Sequence, residues 1–424
     1  MLLVTDIREN LQTYKEGLQK RNFKQPELLS QAVELDDNRK QTQFELDNLL
    51  AESNKLSAEI GELFKSGKAE QANEIKAKTA DLKQNIKSLQ DQLKSDKERL
   101  EEVLLQIPNI PHSSVVAGAG EADNVIVSQT QEAQHKEGLP HWELAAKYDI
   151  IDFELGNKIT GAGFPVYKGK GARLQRALIS YFLDVNTEAG YVEYLPPHMV
   201  NEASARGTGQ LPDKEAQMYE VPLDGFYLIP TAEVPVTNIW RDSIIEEKQF
   251  PVKATAYTPC FRREAGSYGK DVRGLNRLHQ FDKVEIVRIE KKENSYAALE
   301  EMKKHVGNIL SELGLVYRVL HLCGGDTGFA SASTYDFEVW SDAQDRWLEV
   351  SSVSNFETFQ SNRLKLRYRT ENGTQLCHTL NGSALALPRV LAAILEHYQE
   401  EDHIRIPQVL QCYTGFDKIE LPNQ

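Results

Sequence analysis

TPCFRREAGSYGKDVRGLNRLHQFDKVEIVR, residues 258–288, decides how the rest of the chain is read. An apolar β-type run containing Ala256, Tyr257, Cys260 and Phe261 leads into Arg262-Arg263-Glu264. A Gly-rich basic loop follows, with Gly266, Gly269, Lys270, Arg273, Gly274 and Arg277, and then a second β-type run from Phe281 to Ile289. The connection is too long for a tight hairpin, and loops of that length without structure of their own are usually functional or disordered. Its charge points to an anion as the thing held.

The side chains at the two ends of this loop suit a nucleotide. Arg262 closes the first run and is followed at once by Glu264, so a rigid fork of donors projects from a strand end, matched to phosphate geometry. Phe281 offers an aromatic face to a base, and by period-two alternation Lys283 and Glu285 share its side of the strand. Taken alone, Arg, Glu and Phe on a hairpin are more often a surface salt-bridge patch.

Three other stretches set polar groups in apolar surroundings. Ile229-Pro-Thr-Ala-Glu233 puts a hydroxyl and a carboxylate just past a strand. Trp347-Leu-Glu-Val-Ser-Ser352 places Glu349 and Ser352 three apart after an aromatic-rich strand, as hard oxygen ligands that suit Mg²⁺ on a nucleotide. Asn381-Gly-Ser-Ala-Leu-Ala-Leu-Pro-Arg389 reads as a small-residue loop running into an apolar helix, Val390–His397, with an arginine at the start that favours an anion. P-loop, GxGxxG and HExxH patterns are absent. Further β-type runs follow one another with few full helices between them, which favours an antiparallel sheet of α+β type over a doubly wound one.

Toward the N-terminus the pattern changes. From Glu27 to Phe64 there is no proline, and Leu28, Leu35, Thr42, Leu49, Leu56 and Leu63 recur every seventh residue. After Lys65-Ser-Gly-Lys68 the apolar spacing resumes through Ile75, Leu82, Ile86, Leu89, Leu93 and Leu100 until Pro108. Two such seams around a short Gly turn predict an antiparallel coiled-coil hairpin over 27–105. At ~1.5 Å per residue each limb reaches roughly 55 Å, too long to fold back into a compact core. Lys76, Lys83, Lys87, Lys94 and Lys97 keep to one face of the second limb, where a phosphate backbone would gain from counterion release. A solvated helix face, or a dimerisation arm, is the competing interpretation.

At 424 residues the chain is long enough for two or three domains, and its formal charge of −14 argues against indiscriminate binding to nucleic acid or acidic membranes. Any polyanion must therefore meet local basic patches. No apolar run approaches a membrane span, and the start lacks the features of a signal peptide, so a cytoplasmic location is expected. Cys260, Cys323, Cys377 and Cys412 are isolated and read as buried, reduced thiols, with no zinc expected.

The order of these segments, TAE, FRREAGSYG…LHQF, EVSS and NGSALA, resembles the catalytic domain of class II aminoacyl-tRNA synthetases, and more closely the bacterial-type seryl-tRNA synthetases. Gly190-Tyr-Val-Glu-Tyr-Leu-Pro-Pro197 matches that family's dimer-interface motif, and residues 27–105 match its tRNA-binding arm. The third motif departs from the class pattern by carrying Ala384 and Ala386 where glycines are frequent. The resemblance implies an N-terminal helical tRNA-binding domain over 1–110, a linker over 111–140 and a catalytic domain over 141–424. It implies ligation of L-serine to tRNA(Ser) through seryl-adenylate, with tRNA(Sec) as a second candidate acceptor, in a homodimer without membrane attachment. ATP with Mg²⁺ would meet Arg262, Arg263, Glu264, Arg277, Phe281, Glu349, Val350, Ser351, Ser352 and Arg389, with Arg262 and Arg389 on the phosphates and the metal on Glu349 and Ser352. Serine would meet Thr231, Ala232, Glu233, Arg262, Glu285, Asn381 and Ser383. The alternative is a homologue that activates a small amino acid for a carrier protein, against which the arm argues, because a small carrier gives no reason for its reach.

Overall fold

The computed structural model describes residues 1–134, 137–213, 216–264 and 273–422, without the side chains of 77 and 78. It divides into two compact units, one of residues 1–19 and 23–108, the other of residues 20–22 and 109–424.

In the first unit two short helices, α1 (Val4–Glu9) and α2 (Leu11–Lys20), precede the long pair α3 (Leu28–Lys65) and α4 (Ala69–Leu104). The heptad leucines make the seam: Leu46, Leu82, Ile86 and Leu93 are buried together, flanked by Leu49, Leu56 and Leu89. One polar layer fixes the register, because buried Asp96 accepts from Thr42 Oγ1 at 2.9 Å and from Gln92 Nε2 at 2.7 Å. A slipped hairpin would leave that carboxylate buried without its donors. The turn is made by Gly67 at φ +77°, a left-handed conformation that glycine adopts without Cβ strain.

The second unit is built on an eight-stranded sheet of β1 (Val125–Gln129), β2 (Val192–Glu193), β3 (Val252–Phe261), β4 (Gln280–Glu290), β5 (Tyr317–His321), β6 (Ser333–Ser341), β7 (Arg346–Asn355) and β8 (His378–Ala386). Their order is β1-β5-β6-β7-β8-β4-β3-β2, antiparallel throughout except for β2 against β3. Three helices, α5 (Gly169–Glu188), α6 (Ser295–Glu312) and α7 (Leu387–His397), form the main core with one set of strand side chains, including Val284, Ile286, Val353, Leu380 and Ala384. The alternate set on β4, Lys283 and Glu285, looks away from that core.

The structure departs from the sequence expectations in three places. Residues 381–386 are the second half of strand β8, not a loop, and α7 begins at Leu387 with Pro388 in its first turn. Strand β8 lies between β4 and β7 and is buried along nearly its whole length, so its small and apolar residues show no alternation that would betray a strand. Within the expected linker, β1 pairs antiparallel with β5 as the outer edge of the sheet; all five of its side chains are exposed, so no buried face marked it. Cys260, Cys323 and Cys377 are buried, whereas Cys412 is exposed.

Candidate active site

Register places the candidate residues. On β4, Phe281, Lys283 and Glu285 alternate onto one face, and Glu285 stands opposite Ala256 of β3 and Ser383 of β8. Val353 of β7 pairs with Gly382, so Ser352 points to the same side as Ser383. Glu349 should then face the other way, since residues three apart on a regular strand diverge. A bulge corrects this: Phe337 pairs with Ser351 while Glu338 pairs with Glu349, which makes Val350 the extra residue and returns Glu349 to the side of Ser352.

At the centre of this face lies a buried polar cluster. Lys283 Nζ is 2.5 Å from Glu285 Oε2, and both side chains are almost fully buried. Thr231 Oγ1 donates to the same carboxylate at 3.2 Å and accepts from the Glu233 amide at 3.2 Å. Glu233, at the start of the helix Glu233–Asn238, accepts from Gln360 Nε2 at 2.6 Å. Burial pushes the Glu233 carboxyl up to about 7, and the charge of Glu285 adds to the rise, while Gln360, Lys283 and Asn381 oppose it. Ser383 is buried beside Glu285, and its carbonyl accepts from Ser351 Oγ at 2.6 Å. This small set of acceptors beside one buried cation can receive N–H and O–H donors from a compact ligand.

Next to it lies a zone of arginines. The Arg262 guanidinium stands over the Phe281 ring at 5.2 Å, with its Nε donating to the Pro230 carbonyl at 3.4 Å. Arg277 is paired with Glu264 at 3.0 Å. Arg389, in the first turn of α7, donates to the Glu349 carbonyl at 2.7 Å and to the Asn276 carbonyl at 3.1 Å. Burial lowers its pKa, and the charges of Arg277 and Arg262 act in the same direction. Glu264 and Glu349 partly balance these charges, Glu349 lying 3.8 Å from Arg389, and the three guanidiniums together form a zone that can receive an anion.

Among the described residues no group of three or more His, Cys, Asp or Glu side chains is gathered to hold a metal, but a smaller set of oxygen donors lies beside the arginines. Glu349 and Ser352 share a face with Asp336, which pairs with Ser352 across the strands and whose Oδ1 is buried without a hydrogen-bond partner among the described residues. Two carboxylates and a hydroxyl beside a phosphate site suit Mg²⁺, which commonly takes one or two carboxylates and completes its shell with water and substrate phosphate.

Several expected residues are not gathered into the site by their side chains. Ala232 belongs to an apolar cluster with Val236, Ala254, Ala256 and Val287, and Val350 lies in the main core. The Ser351 hydroxyl is committed to Ser383, so Val350 and Ser351 bring only backbone to the face. Arg263 is exposed, and its amide donates to the Gln217 carbonyl at 2.8 Å. Lys270 lies outside the described residues. In the first unit Lys76, Lys83, Lys87, Lys94 and Lys97 are all exposed on α4. Sequence reasoning passed over Lys283 and Asp336 as site residues. Alternation with Glu285 already placed Lys283 on the right face, whereas nothing local marked Asp336.

Known proteins share this architecture over the whole chain. A family model for the class II core domain of the tRNA synthetases for G, H, P, S and T matches residues 219–398. A second, for the seryl-tRNA synthetase N-terminal domain, matches residues 1–111. The serine–tRNA ligase of Salinibacter ruber is 50% identical over 424 residues, covering 99% of both chains. That of Thermodesulfovibrio yellowstonii is 45% identical over 425 residues, covering 99% of this chain and 100% of the other. The crystal structure of seryl-tRNA synthetase from Pyrococcus horikoshii complexed with ATP superposes with a TM-score of 0.91 at 33% identity over all of both chains. An antiparallel sheet with arginines on its open face and a matching core model define a class II aminoacyl-tRNA synthetase. Within that class, the N-terminal match and the full-length identities place the chain in the seryl-tRNA synthetase family.

Proposed function

We propose that this chain joins L-serine to tRNA(Ser) in two ATP-dependent steps, with tRNA(Sec) as a second acceptor. One observation carries the assignment: the buried Thr231–Glu285–Lys283 cluster shares the open face of the sheet with the arginine zone, so a small amino acid and a nucleotide triphosphate would meet there.

In the first step ATP lies with its base against Phe281, Arg262 and Arg389 on its phosphates, and Arg277 and Glu264 beside them. The serine carboxylate attacks the α-phosphorus in line; the bond to the bridging oxygen breaks and pyrophosphate leaves. The arginines stabilise the charge that develops on the phosphoryl oxygens. Glu349 and Ser352, with Asp336 beside them, would hold Mg²⁺, which when bound supplies further positive charge to the phosphates. No side chain is needed as a nucleophile, because orientation of the two substrates supplies most of the acceleration. In the second step the terminal adenosine hydroxyl of the tRNA attacks the seryl carbonyl and AMP leaves.

Serine would be recognised through both of its polar ends. Glu233 faces the ammonium, while Glu285, held by Lys283 and Thr231 with Ser383 opposite, receives the side-chain hydroxyl; Asn381 lies beside Glu233. A pocket that hydrogen-bonds a hydroxyl leaves its own polar groups unpaired with alanine, which is a strong basis for rejection. The exposed lysine row on α4 would meet the tRNA backbone, with 1–110 as the tRNA-binding domain and 141–424 as the catalytic one. A homodimer would form through the β2 region, where Val192, Leu195 and Met199 are exposed. Among the described residues no helix is long and apolar enough to cross a membrane, and the cytoplasm is the expected place of work. The carrier-protein alternative gains nothing from the relatives, whose full length includes the N-terminal region.

ATP–pyrophosphate exchange across the standard amino acids tests this assignment. Serine alone should support exchange, and Glu285→Ala should lower it by roughly a hundredfold or more, the scale of losing a charged hydrogen-bond partner in the transition state. Near-normal exchange by that variant would overturn the serine pocket.

A further inference from the structure

His141 is far in sequence from every residue of the site described above, and its side chain is fully buried. Its ring is gripped from both sides. Nδ1 lies 2.8 Å from Glu396 Oε1, and Nε2 lies 2.8 Å from the Leu275 amide nitrogen. The amide can only donate, so Nε2 accepts and the ring proton sits on Nδ1, donated to Glu396. Glu396 is itself fully buried and accepts from the His141 amide at 3.0 Å, from Gln344 Nε2 at 3.1 Å and from Ser341 Oγ. Gln344 reaches onward, its Oε1 accepting from Asn276 Nδ2 at 3.0 Å.

The target of this network is the C-terminal end of the basic loop. Gly274 adopts φ +68° and passes so close that a Cβ there would stand 2.2 Å from His141 Nε2. Leu275 is held through its amide, and Asn276 through its side chain. The Asn276 carbonyl, oriented by those two contacts, receives Nε of Arg389 at 3.1 Å. Arg277 follows directly and pairs with Glu264. On the other side, the Arg273 guanidinium stacks over the ring of Trp142, the neighbour of His141, at 4.8 Å. The dyad therefore holds the Leu275 backbone directly, leaves no room for a Cβ at Gly274 and, through Gln344, holds the Asn276 side chain, immediately before the arginine that the nucleotide would meet.

We propose that His141 and Glu396 are positioning residues for ATP: they set the backbone at 274–276 so that Arg277 and Arg389 converge on the phosphates. The dyad touches no reacting atom and acts only through the loop. The inference rests on the assignment of ATP to these arginines, and its test separates the two.

The KM values for ATP and for serine are measured by pyrophosphate exchange in the full-length enzyme for His141→Ala, His141→Gln, Arg277→Ala and the double variant His141→Ala/Arg277→Ala. His141→Ala should raise the ATP KM about tenfold or more, since small displacements of a positioning group cost that much, and leave the serine KM within about twofold. His141→Gln keeps an acceptor for the Leu275 amide and should recover most of the loss. The double variant should fall clearly short of the product of the two single losses, because the part of the His141→Ala loss that runs through Arg277 is shared and only the part through Arg389 adds; independent effects would multiply. A purely structural role would raise both KM values together, lower the melting temperature in step and give a multiplicative double variant, and any of these overturns the proposal. If Arg277→Ala leaves the ATP KM unchanged, the ATP assignment fails first; if it raises that KM and neither His141 variant does, the positioning role alone fails. Should His141→Ala not fold, the same cycle run with Glu396→Gln decides it, since a neutral amide at 396 loses the carboxylate's charge and turns N–H donors toward groups that donate to Glu396, the His141 amide, Gln344 and Ser341, which loosens the hold on the imidazole.

Discussion

Replacing Glu233 by glutamine tests the electrostatics of the serine pocket without changing its size. Burial raises this carboxyl from 4.5 to about 7, with the charge of Glu285 adding to the rise. Between those values the folded protein binds more protons than the unfolded chain, so this group makes stability fall as pH rises. The full effect, present above pH 7, is that of a rise from 4.5 to about 7 at about 1.36 kcal/mol per pH unit, or about 3 kcal/mol. Glutamine stays neutral and keeps an oxygen for Gln360. The ligand-free Glu233→Gln protein should therefore match the wild type below about pH 4.5 and exceed it by about 3 kcal/mol at pH 8. Serine brings an ammonium that compensates the buried charge, so it should stabilise the wild type at pH 8 and leave the variant nearly unmoved. Below pH 7 wild-type serine affinity should weaken by up to tenfold per pH unit as the carboxyl is protonated. Paired melts of both proteins from about pH 4 to pH 8, with and without serine, read all of these. A stability difference that does not change with pH, or a variant less stable at pH 8, would show that burial does not hold the Glu233 carboxyl protonated near neutrality.

Two further outcomes concern the first unit and the sheet edge. Excision of 27–105, with the ends of the antiparallel hairpin rejoined, should spare serine-dependent exchange and abolish aminoacylation of tRNA; unchanged charging would remove the arm from the mechanism. Leu195 is 83% exposed beside the edge strand β2, and Leu195→Glu should shift the enzyme from dimer to monomer in light scattering, whereas an unaltered mass would place the interface elsewhere.

Much of this molecule was legible locally. The arm was, because a heptad pattern running through 38 and 36 residues states its own partner: the helices need only each other to bury Leu46, Leu82, Ile86 and Leu93. The hairpin of β3 and β4 was also plain, since alternation put Phe281 and Glu285 on one side before any neighbour was known. Strand β8 hid its nature by being covered on both sides, and β1 hid by being covered on neither. The same face–burial logic therefore failed at both extremes.

The hairpin arm, the class of sheet and the inventory of arginines and carboxylates were already legible along the chain, because helical and strand periodicities are written between near neighbours. Which of those groups meet was settled by folding alone. It brought Glu349 round to Ser352 by a bulge at Val350, joined Lys283 to a glutamate shared with Thr231, and set His141 beneath a loop 134 residues away. Each of these contacts is made by packing between distant segments, and no local pattern carries the energy of a contact whose partner lies elsewhere in the chain.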